Sequence, residues 1–267
     1  MKQKTSAHKR SVINGILTVK QCERLSINLI RVIFNCDKKI EFDPLWIGPH
    51  AKLLFPSVSN DDIIFPQTNE DNKIIWANGT REQVRTYSIR NYNQDNNVVV
   101  IDFVVHESGI ATQWAQQANV GDNIGLIAMG AKNRFDNNKQ LILIGDIAAM
   151  PAICYTLEHL PQGQKALAII EVRDEKDKLP LTLTQPTELI WLVTPQGHDT
   201  KLISQLTQSV STVDQENALF WGGMESSIAQ SIRRFLKEHF TALPSDSIHL
   251  ISYWREGFAE GQFKHHD

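Results

Sequence analysis

The chain has 267 residues, 42% of them hydrophobic and 21% charged, the proportions of a soluble globular protein large enough for two domains. Its net charge of −3 excludes a general nucleic-acid binder, because neutralising phosphates needs a basic surface. No apolar run approaches the roughly 20 residues that span a bilayer, and the basic start "MKQKTSAHKRSVINGILTV" lacks the apolar core of a signal peptide.

From about Ile13 to Ile127 the apolar residues come in short alternating runs separated by Gly, Pro, Asn and Asp: "GILTVKQCERLSINLIRVIF", "AKLLFP", "VRTYSIRNY", "NVVVIDFVVH" and "DNIGLIAM". Short strands at this spacing predict an antiparallel barrel or sandwich. The three cysteines, Cys22, Cys36 and Cys154, are scattered and lack metal-ligand spacing. They read as free thiols in a reducing compartment, and a cytoplasmic location is expected.

One stretch, "REQVRTYSIRNY" (81–92), mixes strand formers with three arginines. Side chains two apart on a strand sit side by side, roughly 6–7 Å apart, so Arg85 and Tyr87 share one face with Ser88 behind. A cation beside a phenol suits either a solvated face or a bound ligand, and Arg90, on the opposite face, reads as solvated. A helical insert follows in "GIATQWAQQANVGD", with Thr112 as its expected N-cap and Gly121 past its end.

The rhythm changes from about Gln140. "QLILIGD", "KALAIIEV", "ELIWLVT", "ALFWGG" and "SIHLISYW" are continuous apolar strands; "IAAMPAICYTLEHL" and "ESSIAQSIRRFLKEHF" have helical periodicity. Buried strands alternating with helices predict a parallel sheet covered on both faces. The polar stretch "AKNRFDNNKQ" marks the boundary, dividing the chain into residues 1–136 and 137–267. Ligands of open α/β sheets bind at the carboxyl ends of the strands. Three of those ends carry Gly145-Asp146, Gly222-Gly223-Met224-Glu225 and Tyr253-Trp254-Arg255, and a barrel docked there would hold a flat cofactor between the domains.

Six motifs in this order, "HAKLLFP" (50–56), "RTYS" (85–88), "DFVVHESGIATQWA" (102–115), "GDIAAMPAI" (145–153), "WGGME" (221–225) and "YWREG" (253–257), carry a family resemblance. The chain resembles the siderophore-interacting proteins, the ferric-siderophore reductase branch of the ferredoxin-reductase-like flavoproteins. The resemblance implies an N-terminal antiparallel FAD-binding β-barrel followed by a parallel-sheet reductase domain. It implies that Arg85 meets the FAD diphosphate, Tyr87 lies against the isoalloxazine, and Ser88 donates towards its N5 edge. Asp102, His106, Ala111, Thr112 and Trp114 would continue the cofactor site, with phosphate received at the helix N-terminus. Asp146 and Ala148 would border it from the second domain, and Tyr253 or Trp254 would cover the ring's other face. The sequence departs from the family pattern at Glu107 (usually Gly), Ile110 (Pro), Ile147 (Glu) and Ala148 (Thr).

The implied activity is reduction of a ferric siderophore, with electrons passing from NAD(P)H or reduced ferredoxin through FAD to Fe(III) and releasing Fe(II). No catalytic side chain is needed, since the flavin carries the chemistry. Lys52, Lys132, Arg134, Arg255 and Lys264 would attract an anionic chelate, and Arg173 stands where a 2′-phosphate would lie. A monomer is expected. Two other readings stay open: a general NAD(P)H–flavin or quinone reductase of the same fold, and a flavin-bearing siderophore-binding protein without activity.

Overall fold

The computed structural model describes residues 13–56, 62–71, 73–77, 79–136, 138–195, 201–258, 260 and 262–263. The first half forms β1 (Gly15–Arg24), β2 (Leu29–Cys36), β3 (His50–Leu54), β4 (Val84–Ser88), β5 (Asn91–Asn93), β6 (Val98–Val104), helix α1 (Ile110–Gln117) and β7 (Asn123–Gly130). The seven strands make one antiparallel sheet in the order β4-β3-β7-β1-β2-β6-β5. Alternation turns Leu17, Val19, Val32, Phe34, Val99, Ile101 and Phe103 into a shared core. Two-residue ladders join Trp46–Ile47 to Asn133–Arg134 and Gln67–Thr68 to Ile74–Ile75.

The two end strands of this sheet are neighbours in the chain. Only Ile89 and Arg90 separate β4 from β5, and these two residues change partners: the Ile89 N–H donates to Pro49 O on the β3 side, and the Arg90 N–H to Val100 O on β6. Residues 84–93 therefore belong to both ends of the sheet and give it a barrel-like curl. The stretch containing Arg85, Tyr87 and Ser88 is the seam.

The second half forms β8 (Gln140–Gly145), α2 (Met150–Glu158), β9 (Ala166–Val172), β10 (Thr187–Val193), α3 (Lys201–Ser209), β11 (Ala218–Glu225), α4 (Ser226–His239) and β12 (Ile248–Trp254). Its five strands pair in parallel in the order β10-β9-β8-β11-β12. β9 and β11 are buried along their whole length, as continuous apolar runs in a doubly covered sheet should be. The strand "ELIWLVT" takes an edge and is half-buried. Helix α3, which the sequence reading did not anticipate, packs Leu202 and Leu206 against the sheet. Among the described residues no helix is long and apolar enough to cross a membrane.

Helix α2 explains how the halves dock. Every residue from Met150 to Leu157 is buried, because one side meets the parallel sheet and the other the barrel. Gly48, on the barrel side, donates its N–H to Thr156 Oγ1 at 3.0 Å. It must be glycine: its φ is +61°, and a Cβ there would lie 1.9 Å from the Trp221 ring. Ser26 and Asn28 donate to the fully buried Asp177 carboxylate across the same junction. Arg90 is buried and forks onto Glu158 at 2.6 and 3.0 Å, which corrects its reading as a solvated residue. Its face of the strand is the outer wall of the barrel, and α2 covers that wall.

Candidate flavin and donor site

The seam brings five of the six motifs into contact. Ser88 is buried and donates its hydroxyl to the Tyr253 hydroxyl at 3.3 Å and towards Ala148 O at 3.5 Å. These long contacts hold the hydroxyl loosely, leaving it able to turn to a better acceptor. Tyr87, one residue earlier, packs its ring against Phe103 (centroids 4.6 Å apart) and Phe55 (6.5 Å). Burial pushes the Tyr87 phenol up, with the Glu260 charge adding to it, so it stays protonated. Burial likewise raises Tyr253 to about 12.

Asp146, at the end of β8, organises the α/β side. Its Oδ2 accepts from Trp254 Nε1 at 2.7 Å and the Glu225 N–H at 3.1 Å, and its Oδ1 from the Ala148 N–H at 2.9 Å. Burial raises its pKa, and these donors oppose the rise. Asp146 thus fixes the Trp254 indole and the 146–148 turn together. The ring of Tyr253 lies over Gly223, where a Cβ would come within 2.5 Å of it. The second glycine of "WGGME" therefore makes room for Tyr253.

Helix α1 begins at Gly109, whose φ is +123°, with no side-chain cap. The first intrahelical bond is Gln113 N–H to Gly109 O, so the amides of Ile110, Ala111 and Thr112 are left for an outside acceptor. Thr112 is not the N-cap that the sequence suggested; it sits inside the helix and its hydroxyl accepts the His106 N–H at 3.3 Å. His106 flanks this helix start and keeps much of its side chain exposed. Burial first, and Arg173 second, push its pKa down. An uncapped helix start, a loosely held Ser88 hydroxyl and the Tyr87 ring at the seam suit a flat cofactor with a diphosphate tail.

A cleft of about 360 Å³ opens at the carboxyl ends of the parallel strands, lined among others by Asp146, Glu171, Arg173, Thr194, Glu225 and Trp254. Glu171 accepts from the Thr194 hydroxyl at 2.7 Å. Glu225 caps helix α4 by accepting the N–H groups of Ser227 and Ile228. Burial acts to raise its pKa, but these donors, together with the Ser227 hydroxyl and the Glu256 N–H, outweigh it and hold the carboxyl below its ordinary range. Arg173 lines this cleft, its Nη1 3.4 Å from Val105 O.

Other anticipated residues have different surroundings. Asp102 is fully occupied by Arg31, directly opposite it on β2, through two bonds of 2.7 and 2.8 Å on the outer barrel wall. Trp114 packs inward on Phe34, Phe55 and Phe103. Arg85 donates to the carbonyls of Glu82 and Val84 at 2.8 Å each. Of the expected chelate-attracting cations, Lys52 reaches Thr86 Oγ1 at 3.2 Å, Arg255 lies over the Phe258 ring, and Arg134 is paired with Asp43. Lys132 is exposed, and Lys264 lies outside the described residues. The sequence reading missed Glu171, the capping role of Glu225, and Glu260, which bonds Thr86. Only Glu225, standing just before a helical period, offered a local signal.

Known proteins share this fold. The profile "Siderophore-interacting FAD-binding domain" matches residues 18–132, and "Siderophore-interacting protein" matches residues 138–257. The chain is 29% identical over 238 residues to the ferric vibriobactin reductase of Vibrio cholerae, covering 87% of this chain and 86% of that protein. It is 25% identical to the NADPH-dependent ferric-chelate reductase of Escherichia coli over 89% of this chain and 91% of that one. A siderophore utilization protein from T. fusca shares the fold with a TM-score of 0.79 at 24% identity, over 97% and 98% of the two chains. A ferredoxin reductase of carbazole 1,9a-dioxygenase does so at 0.64 and 15% identity, over 93% of this chain and 71% of that one. With both family profiles matched in order across the barrel and the parallel sheet, the chain belongs to the siderophore-interacting proteins, and its fold is the one found in ferredoxin reductases.

Proposed function

We propose that this protein is an FAD-dependent oxidoreductase that reduces ferric siderophores and so releases Fe(II). The observation that carries this reading is the meeting of Ser88, next to Tyr87 on the barrel seam, with Ala148 and Tyr253 from the ends of the parallel strands. FAD held there would supply the redox chemistry, linking NAD(P)H or reduced ferredoxin to Fe(III).

The chain's own residues then have distinct tasks. The free amides at the start of α1 receive the diphosphate, and Arg85 turns to it by leaving two backbone carbonyls of its own turn. Tyr87 covers one side of the ring and excludes water. The Ser88 hydroxyl hydrogen-bonds the ring edge, stabilising the electron density of the reduced state. Tyr253 delivers a phenol that stays protonated to the same edge, while Trp254, fixed by Asp146, separates the ring from the donor cleft. Asp102 and Trp114 support the site through the barrel wall and core. The 360 Å³ cleft receives the nicotinamide donor. Lys52, Lys132 and Arg255 draw the chelate to the exposed edge, a long-range and salt-sensitive attraction. The domains divide at residue 136, and the protein acts as a cytoplasmic monomer.

The test is an absorbance spectrum of the purified protein, followed anaerobically by NADH or NADPH and then by a ferric siderophore with an Fe(II) trap. Flavin bands that bleach with nucleotide and return with chelate, as the trap colours, are the expected result. Absence of flavin bands after incubation with FAD would overturn the reading. Bleaching by reduced ferredoxin alone would assign the donor to a protein.

A further inference from the structure

Thr86 lies between Arg85 and Tyr87, with its side chain on the other face of the seam. Its N–H donates to Glu260 Oε2 at 2.9 Å and its hydroxyl to Glu260 Oε1 at 2.7 Å. Lys52, directly across the ladder on β3, donates its ammonium to the same hydroxyl at 3.2 Å. The Thr86 amide and hydroxyl thus hold one carboxylate, and the Lys52 ammonium backs the hydroxyl from the neighbouring strand, a donor set suited to an anionic oxygen.

The carboxylate comes from the far side of the molecule in sequence, 174 residues from Thr86. After β12 the chain turns at Gly257 (φ +78°), where Arg255 pairs with Phe258 and lies 4.3 Å over its ring. The Glu256 N–H is held by the Glu225 carboxylate. Glu260 is thereby led from the α/β sheet back to the barrel seam.

We propose that Thr86 and Lys52 form an anion subsite for an oxygen of the ferric chelate, and that Glu260 is its built-in competitor, setting selectivity by chelate charge. The proposal rests on the reductase reading and names a residue that tunes it. An anionic chelate engages the subsite only when Glu260 has left, so its apparent affinity is reduced by the fraction of time the subsite is free. An uncharged chelate has nothing to gain from displacing the carboxylate and does not feel this competition. The exchange precedes electron transfer, so it acts on KM and leaves kcat unchanged.

The experiment compares the wild-type holoenzyme with Glu260→Gln, using trianionic ferric tris-catecholate and an uncharged ferric tris-hydroxamate, with the flavin reduced by dithionite to bypass the donor. Glu260→Gln is expected to lower KM for the tris-catecholate about fivefold at unchanged kcat, the size of one lost charge-assisted contact. KM for the tris-hydroxamate should stay the same, and added salt should shrink the difference. Thr86→Val, which keeps the strand but removes the hydroxyl, should raise KM for the tris-catecholate alone. Equal effects on both chelates, or none, would overturn the proposal. So would a change in FAD affinity in Glu260→Gln, which would assign the subsite to the cofactor's phosphates. If neither chelate reoxidises the wild-type flavin, the reductase reading itself fails, an outcome distinct from these.

Discussion

His106 shows how a single side chain couples the two halves. It stands beside the start of α1 on the barrel, while Arg173, the cation that depresses its pKa after burial, comes from the end of β9. The folded protein therefore disfavours imidazolium, whereas the unfolded chain binds that proton near pH 6.5. The stability present above that value is lost as pH falls through it towards the lower folded value. Thermal melts between pH 5 and 8 should show this loss in the wild type and a flatter profile in His106→Gln. The sequence pointed to His106 through its place in a motif, but not to its partner. Arg173 lies 67 residues further on, and only the docking of the domains brings it near.

At the scale of elements, α2 is the part most plainly written in the sequence and most easily misread. "MPAICYTL" has no polar face beyond its Tyr and Thr, which in a helix means cover on both sides. Read that way, it announces a second layer over the barrel, and Arg90 opposite it ceases to be a surface residue. Local pattern alone put Arg90 in solvent because strand alternation says which residues share a face, not what lies over that face. The side chains of Arg90 and Glu158 retain 10% and 19% exposure, so breaking the pair strands a charge in a poorly solvated place. Arg90→Met alone should cost about 3 kcal/mol, and Arg90→Met with Glu158→Met much less. Denaturant unfolding of the two singles and the double forms the cycle that checks this. The barrel core was legible for the opposite reason: Val99, Ile101 and Phe103 alternate against Val98, Val100 and Asp102, and the inner set is the core.

Taken as one molecule, the two sheets share too many buried polar links to melt apart. Asp177 is satisfied by Ser26 and Asn28, Gly48 sits under Trp221, and Ser88 reaches Tyr253. Opening this junction would leave carboxylates and amides unpaired on both faces. A single cooperative thermal transition is expected for the apoprotein, with calorimetric and van't Hoff enthalpies in agreement. Two separated transitions would show that the halves fold independently. The order of barrel and parallel sheet was visible in the change of apolar rhythm near Gln140. The junction was not, because its glycine, hydroxyls and carboxylates come from places in the chain with no common local pattern. The seam carries a further consequence for how such a chain can vary in length. Residues 84–93 keep one ladder on β3 and another on β6, with only Ile89 and Arg90 between them. One residue gained or lost there would turn the side chains on one side of it to the wrong face, taking either Tyr87 from its ring neighbours or Tyr92 from the core. In the turn that follows, Asn97 is tied to Cys36 and Lys38, but the exposed residues 94–96 have no such double obligation. Insertions and deletions between relatives should therefore gather at that turn, and the seam should keep its spacing even where its residues change.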